Sequence, residues 1–276
     1  RSEEEGFDEL HERADSLERR YDSIVTDAQE ELEADKGGEP TKIPQAPTES
    51  LTYDSIEKIE PVGSGGNADV YRAVADTPRG EITFALKEPR MSGTLHKETA
   101  ERMMQEAETW DKLDDHDHIV GLIDYDSEPL PWIAMEYMDG GHLGERAGQL
   151  ESEQALWTAI ATTKAVRHAH RRGVAHLDLK PENVLFRSTG DKHYDVPKVA
   201  DWGLSKHLLD HSKSVEGLSP QYSAPEQFDD SYGVADDITD VYQLGAVFYE
   251  MFTGEPPFEG DPARVMNKVM NEEPKP

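Results

Sequence analysis

Three side chains set close together, Asp178, Lys180 and Asn183, are of the types that could do chemistry on a phosphate. They stand in Val174–Phe186, which reads Val-Ala-His-Leu-Asp-Leu-Lys-Pro-Glu-Asn-Val-Leu-Phe. An unpaired carboxylate can take a proton from a hydroxyl, an ammonium can neutralise a phosphate, and an amide oxygen can bind a hard cation such as Mg²⁺. Two β-prone runs, Val174-Ala175 and Val184–Phe186, bracket the loop and would aim the three groups at a common place. Such a set is equipment for phosphoryl transfer.

The loop resembles the catalytic loop of protein kinases, His-Arg-Asp-Leu-Lys-Pro-x-Asn, with Leu177 standing in the arginine's place. The elements that must position it carry the resemblance further. Ile56, Ile59 and Val62, then Val70, Tyr71 and Ala73, then Ile82, Phe84 and Leu86 predict three successive antiparallel strands. Gly63-Ser64-Gly65-Gly66-Asn67-Ala68 joins the first two. A glycine-rich turn alone says little, because tight hairpins need glycine for positive φ without binding anything. Followed by Phe84-Ala85-Leu86-Lys87 on a third strand, it resembles the kinase loop that covers phosphates, with Ala68 in place of the third glycine. The resemblance implies that Val62, Gly63, Ser64, Gly65, Gly66 and Val70 lie over a nucleotide, with Ala85 and Leu185 beside it. It also implies that Lys87 meets the α and β phosphates. Leu95–Leu113 reads as a helix in which Glu106 stands where the family's glutamate pairs with that lysine, Glu101 and Glu108 being the alternatives.

Trp132–Tyr137 reads as a buried strand running into Met135-Glu136-Tyr137-Met138, which resembles the hinge between kinase lobes. Backbone groups of Glu136 and Met138 would meet adenine there. Asp115-His116-Asp117-His118 has the residue types of a metal site, but neighbours in a short polar run rarely converge on one ion without further ligands, so it reads as a loop. Gln154–Arg172 carries Leu156, Ile160, Ala161 and Val166 at helical spacing and would feed the catalytic loop, with His168 and His170 structural. Lys198-Val-Ala-Asp201-Trp202-Gly203 resembles the family's Asp-Phe-Gly, which implies Asp201 on one Mg²⁺ and Asn183 on a second, Mn²⁺ being an alternative metal. Leu204–Ser223 resembles an activation loop closing at Ala224-Pro225-Glu226, and Asp240 would anchor the catalytic-loop backbone. The Ala-Pro-Glu segment and Lys180 together imply a serine or threonine of a protein as acceptor.

Upstream, Phe7, Leu10, Ala14, Leu17, Tyr21, Ile24 and Ala28 keep a heptad stripe for three repeats. Residues 1–36 are thus an amphipathic helix, either self-associating as a coiled coil or ending an upstream helical domain. Residues 37–52, with three prolines, two glycines and no periodicity, read as a linker. Residues 53–276 would then be an α+β, two-lobed kinase-like domain, with a small antiparallel β lobe carrying one helix and a larger mainly α lobe. The family's last helices would fall beyond Pro276.

The 276 residues carry 58 acidic against 28 basic side chains, net −30. Residues 1–50 hold 16 acidic and 6 basic of these, so the excess is spread over the chain. At about 1 M salt the screening length falls to roughly 3 Å and such self-repulsion fades, which makes a salt-adapted, haloarchaeal-like source the first reading. The same charge argues against nucleic acid as a partner. There is no cysteine, which excludes disulfides and thiolate catalysis and favours a cytoplasmic setting. No apolar run reaches the roughly 18 residues of a membrane span. The expectation is an ATP-dependent serine/threonine protein kinase. The alternatives are a nucleotide-binding scaffold that works by assembly and a small-molecule phosphotransferase of the same fold.

Overall fold

The computed structural model describes residues 38–65, 68–90, 97–113, 115–190, 193–202 and 219–275. The helix expected over 1–36, Gly66 and Asn67 of the glycine turn, and residues 203–218 lie outside the described residues.

Apolar–polar alternation from Ile56 onward builds strands whose side chains face two ways with period two. β1 (Ile56–Gly65), β2 (Ala68–Thr77) and β3 (Gly80–Pro89) follow as hairpins. With β4 (Leu122–Asp126) and β5 (Trp132–Glu136) they form one antiparallel sheet in the order β1-β2-β3-β5-β4. Phe84, Leu86, Trp132 and Ala134 pack in one buried cluster, while Ala85, Ile133 and Met135, one residue out of phase, pack in another. The second cluster receives α1 (Lys97–Asp111), whose Met103, Ala107 and Trp110 repeat at helical spacing. Trp110 also donates its indole N–H to the carbonyl of Val120 at 2.6 Å, so one side chain locks α1 to the chain entering β4. Truncating it would cost about 3–5 kcal/mol.

The large lobe comprises α2 (Leu143–Arg146), α3 (Ser152–Arg171), the hairpin β6 (Val184–Arg187) and β7 (Val196–Val199), α4 (Pro225–Phe228), α5 (Asp237–Thr253) and α6 (Pro262–Asn271). Asp236 caps α5 by accepting from the Ile238 N–H at 2.9 Å, and Gly254 ends it at φ 83°, a left-handed conformation suited to glycine. The buried face of α3 differs from the expected one. Leu156 is 42 % exposed, and Ala155, Thr158, Thr162, Ala165 and Ala169 are inside together with Ala161 and Val166. Small residues win most of these positions because α3 packs against both β7 and α5, although Trp157 is buried as well. Ala165, Val166 and Ala169 share one apolar cluster with Trp110 of α1 and Val199 of β7, so the core runs through both lobes.

Residues 38–52 form no regular element, yet they are held at several points along both lobes. Among the described residues, no helix is long and apolar enough to cross a membrane.

Candidate active site

Strand alternation turns Lys87 of β3 away from Phe84 and Leu86, toward α1. There its ammonium meets Glu106 at 2.5 Å and Asp201 at 3.0 Å. Of the three glutamates on α1 that the sequence offered, Glu106 is the buried one, on the helix face that holds Met103, Ala107 and Trp110. Glu101 pairs instead with Lys97 at 3.4 Å, and Glu108 is exposed. Burial alone would lower the Lys87 pKa, but the carboxylates of Asp201 and Glu106 outweigh it and hold the ammonium above its usual range. Burial likewise pushes the Glu106 carboxyl up, against the pull of Lys87. Asp201 is held down at about 2, chiefly by the Lys87 charge, and its side chain remains 47 % exposed.

The catalytic-loop residues are placed by backbone pinning rather than by regular structure. Leu177 and Asp201 both have φ 64°, which costs a side-chain-bearing residue roughly 1–2 kcal/mol. At Leu177 buried hydrogen bonds oppose that cost. Its N–H donates to Asp240 at 2.7 Å, and its carbonyl accepts from Gln227 at 2.9 Å and Gln243 at 3.2 Å. Such bonds contribute about 1 kcal/mol each and more to an ionised acceptor, so together they exceed the strain. Asp240 also accepts from the N–H of His176 at 2.7 Å and faces His170 at 2.7 Å, which gives it the anchoring position expected of it. The Leu177 side chain is 1 % exposed. His176 accepts from the Asp178 N–H at Nδ1 and faces the Ala200 carbonyl with Nε2, which assigns its proton to Nε2.

Asp178 emerges from this frame buried, with Oδ2 2.6 Å from the Lys180 ammonium. Burial pushes its carboxyl up while Lys180 pulls it down, and burial prevails. Asn183, on the turn Pro181–Asn183, donates its amide N–H to the Asp178 carbonyl at 2.8 Å. That bond commits the nitrogen and leaves the amide oxygen to act as an acceptor. An ionised carboxylate and an amide oxygen are hard donors that suit Mg²⁺, which is commonly held by one or two protein groups plus phosphate oxygens and water. Among the described residues no group of three or more His, Cys, Asp or Glu is placed to hold a metal, the Asp115–His118 turn included.

Above the site, Val70, Ala85, Met135, Met138 and Leu185 share one apolar cluster, a surface on which a planar base could lie. Gly63 pairs in register with Val70, Ser64 with Asp69 and Gly65 with Ala68, while Val62 is 44 % exposed. The N–H of Glu136 is already given to the Gly121 carbonyl at 2.8 Å, so it is not available as a donor to a base. The Glu136 side chain is also engaged, by Lys198 at 2.7 Å, so its identity matters at the hinge. The chain leaving the hinge is sewn to β6, with Gly140 donating to the Phe186 carbonyl and Phe186 to that of Gly141.

A family profile described as the protein kinase domain matches residues 56–274. The chain belongs to that family. It is similar to the serine/threonine-protein kinase PrkC of Bacillus subtilis, 35 % identical over 210 residues that make up 73 % of this chain and 31 % of PrkC. It is also similar to the serine/threonine-protein kinase PknB of Mycobacterium tuberculosis, 32 % identical over 244 residues, 83 % of this chain and 37 % of PknB. A probable serine/threonine-protein kinase of Clostridium perfringens is 33 % identical over 225 residues, 78 % of this chain and 31 % of that protein. The chain thus spans about a third of the length of these relatives.

Three parts of this kinase-domain site escaped the sequence reading. Gln243 stands three residues after Asp240 on the same face of α5, a spacing that could have flagged it, and it accepts from the Leu179 N–H at 2.9 Å. Gln227 has no such local signal. Ser219, just before the Ala224-Pro225-Glu226 segment, directs its hydroxyl at Asp178 Oδ1 from 3.4 Å, a contact with no local sign in the sequence.

Proposed function

We propose that the chain is the catalytic part of an ATP-dependent kinase that phosphorylates serine or threonine in proteins. The observation that carries this reading is Lys87 joined to both Glu106 and Asp201, residues from three distant parts of the chain, beside a buried Asp178. Lys87 would give its charge to the nucleotide's phosphates, with Glu106 holding it in place. Asp201 and Asn183 would hold Mg²⁺, with Mn²⁺ as a substitute, and the bound ion supplies charge neutralisation for the phosphates. Adenine would rest between Val70, Ala85 and Leu185, facing the backbone of Glu136 and Met138.

Asp178 orients the acceptor hydroxyl and takes its proton as the hydroxyl oxygen bonds to the γ-phosphorus and ADP departs. Burial, which raises the Asp178 carboxyl, makes it a better base than a free aspartate. Lys180, 2.6 Å away, would offset charge on the transferring group. Catalysis is therefore mainly positioning and electrostatics. The names of the bacterial relatives and the Ala224-Pro225-Glu226 segment support a protein acceptor. We read the net charge of −30 as adaptation to high salt. Transfer of the γ-phosphate to a serine/threonine peptide library, with the acceptor residue identified afterwards, tests the reading.

A further inference from the structure

The proline-containing segment before β1 is fastened to both lobes. At its start the Gly38 carbonyl accepts from the Tyr194 N–H at 2.6 Å, so closely that a Cβ on Gly38 would lie 2.4 Å from the Tyr194 ring. Further on, the Pro44 carbonyl accepts from Lys198 at 2.8 Å and the Gln45 amide donates to Asp117 at 2.7 Å. Tyr194 and Lys198 belong to the large lobe, Lys198 lying within β7. The far end is held by the small lobe. Arg79, in the β2–β3 turn, binds the Thr48 carbonyl at 3.3 Å and Glu49 at 3.2 Å. The Leu51 N–H donates to Asp124 of β4 at 2.6 Å, and the Leu51 side chain is buried with Phe84 and Trp132.

Between these anchors the chain has little slack. Pro44 and Pro47 fix their own φ and bias Ile43 and Ala46 toward extended backbone. The large-lobe end also touches the hinge, because the Lys198 ammonium that holds Pro44 is the one paired with Glu136 at the end of β5. Lys198 is 1 % and Glu136 5 % exposed, so neither charge can turn to water if the other leaves.

We propose that residues 38–51 are a strap that limits how far the two lobes separate, and that through the Pro44–Lys198–Glu136 chain it sets the affinity of the cleft for MgATP. The second half rests on the reading of the cleft as an ATP site. With the strap fastened, the lobes spend most of their time close enough to grip a nucleotide from both sides. With it released, the open population grows and apparent affinity falls by the fraction that remains competent. Whatever pulls on the residues before Gly38 therefore acts on nucleotide binding without touching the cleft.

The test is the full chain carrying Gly38→Val, Gln45→Ala and Arg79→Ala, none of which lines the cleft, with Arg79→Ala alone as a milder release. Since the sequence has no cysteine, Glu57→Cys on β1 and Glu153→Cys on α3, both exposed, take spin labels cleanly for an interlobe distance measurement. MgATP affinity is read by calorimetry on the unlabelled protein. The expected result is a longer interlobe distance population and a dissociation constant raised about fivefold, with the single variant between it and the parent. Unchanged distances and affinity, with or without a lower melting temperature, would overturn the proposal, since a strap that only stabilises moves neither readout. A parent that binds no MgATP would refute the kinase reading and the affinity claim, while the distance measurement would still decide whether the strap holds the lobes.

Discussion

Asp201 gains its low pKa from Lys87 rather than from any packing of its own, and its side chain is about half open to the cleft. Asp201→Ala should therefore abolish Mg²⁺-dependent turnover while leaving the melting temperature within a few degrees of the parent. Normal turnover in that variant would contradict the assigned role. A second residue-scale effect comes from His116. Its partly buried ring lies 4.7 Å from His168 of α3 and 5.9 Å from His118, and burial first, then those two histidines, lower its pKa to about 4 against the opposing charges of Asp117 and Asp115. A base with a depressed folded pKa binds fewer protons folded than unfolded, so its contribution is complete above about 6.5 and is lost as pH falls toward 4. Stability measured across that window should fall less steeply in His116→Asn than in the parent, and parallel curves would show that His116 does not titrate this way. Sequence composition could not signal this shift, because it arises from α3 meeting a distant turn.

The elements legible from the sequence were those whose partners lie nearby in the chain. β1 to β3 follow from alternation and α1 from its 3.6-residue period, and the fold places Glu106 against Lys87 because both periods point the same way. Elements whose faces are chosen by distant partners were misread or missed. Leu156 turns outward since α3 uses an alanine-rich face for contact with β7 and α5, and neither Gln227 nor Lys198 carries a local sign of its buried partner. The catalytic loop belongs to both groups. Its residue types were readable, but its left-handed Leu177 and the pins from α4 and α5 were not. Leu177 is packed inside and offers no cation to a phosphate, so phosphorylation of the loop should not be the main on-switch. Ser219 must be separated from that test because its hydroxyl faces Asp178. Alanine at Ser205, Ser212 and Ser214 together should leave peptide phosphorylation within a few-fold of the parent. Ser219→Ala should reduce it and Ser219→Thr restore it. A large loss in the triple variant, recovered by installing phosphate at one of the three, would contradict this account.

At the scale of the molecule, two lobes share one apolar core through Trp110, Val166 and Val199 while a surplus of carboxylates covers the outside. Screening that surplus should raise both melting temperature and activity as KCl goes from 0.1 M to about 1 M, and a maximum in dilute buffer would argue against salt adaptation. The fold class was readable because a series of motifs in fixed order each marked one part of it, whereas the strap linking the lobes joins Pro44 to Lys198 across 154 residues and has no local signature. Every role proposed for the cleft converges on transfer of phosphate to a protein hydroxyl with Asp178 as base. It is tested most directly by γ-phosphate transfer from MgATP to serine/threonine peptides in molar KCl, comparing the parent with Asp178→Asn. The parent should yield phosphoserine or phosphothreonine and the variant should lose about 10²–10⁴-fold in transfer, with MgATP affinity nearly unchanged. Binding of MgATP without transfer by the parent, or equal transfer by both proteins, would contradict it.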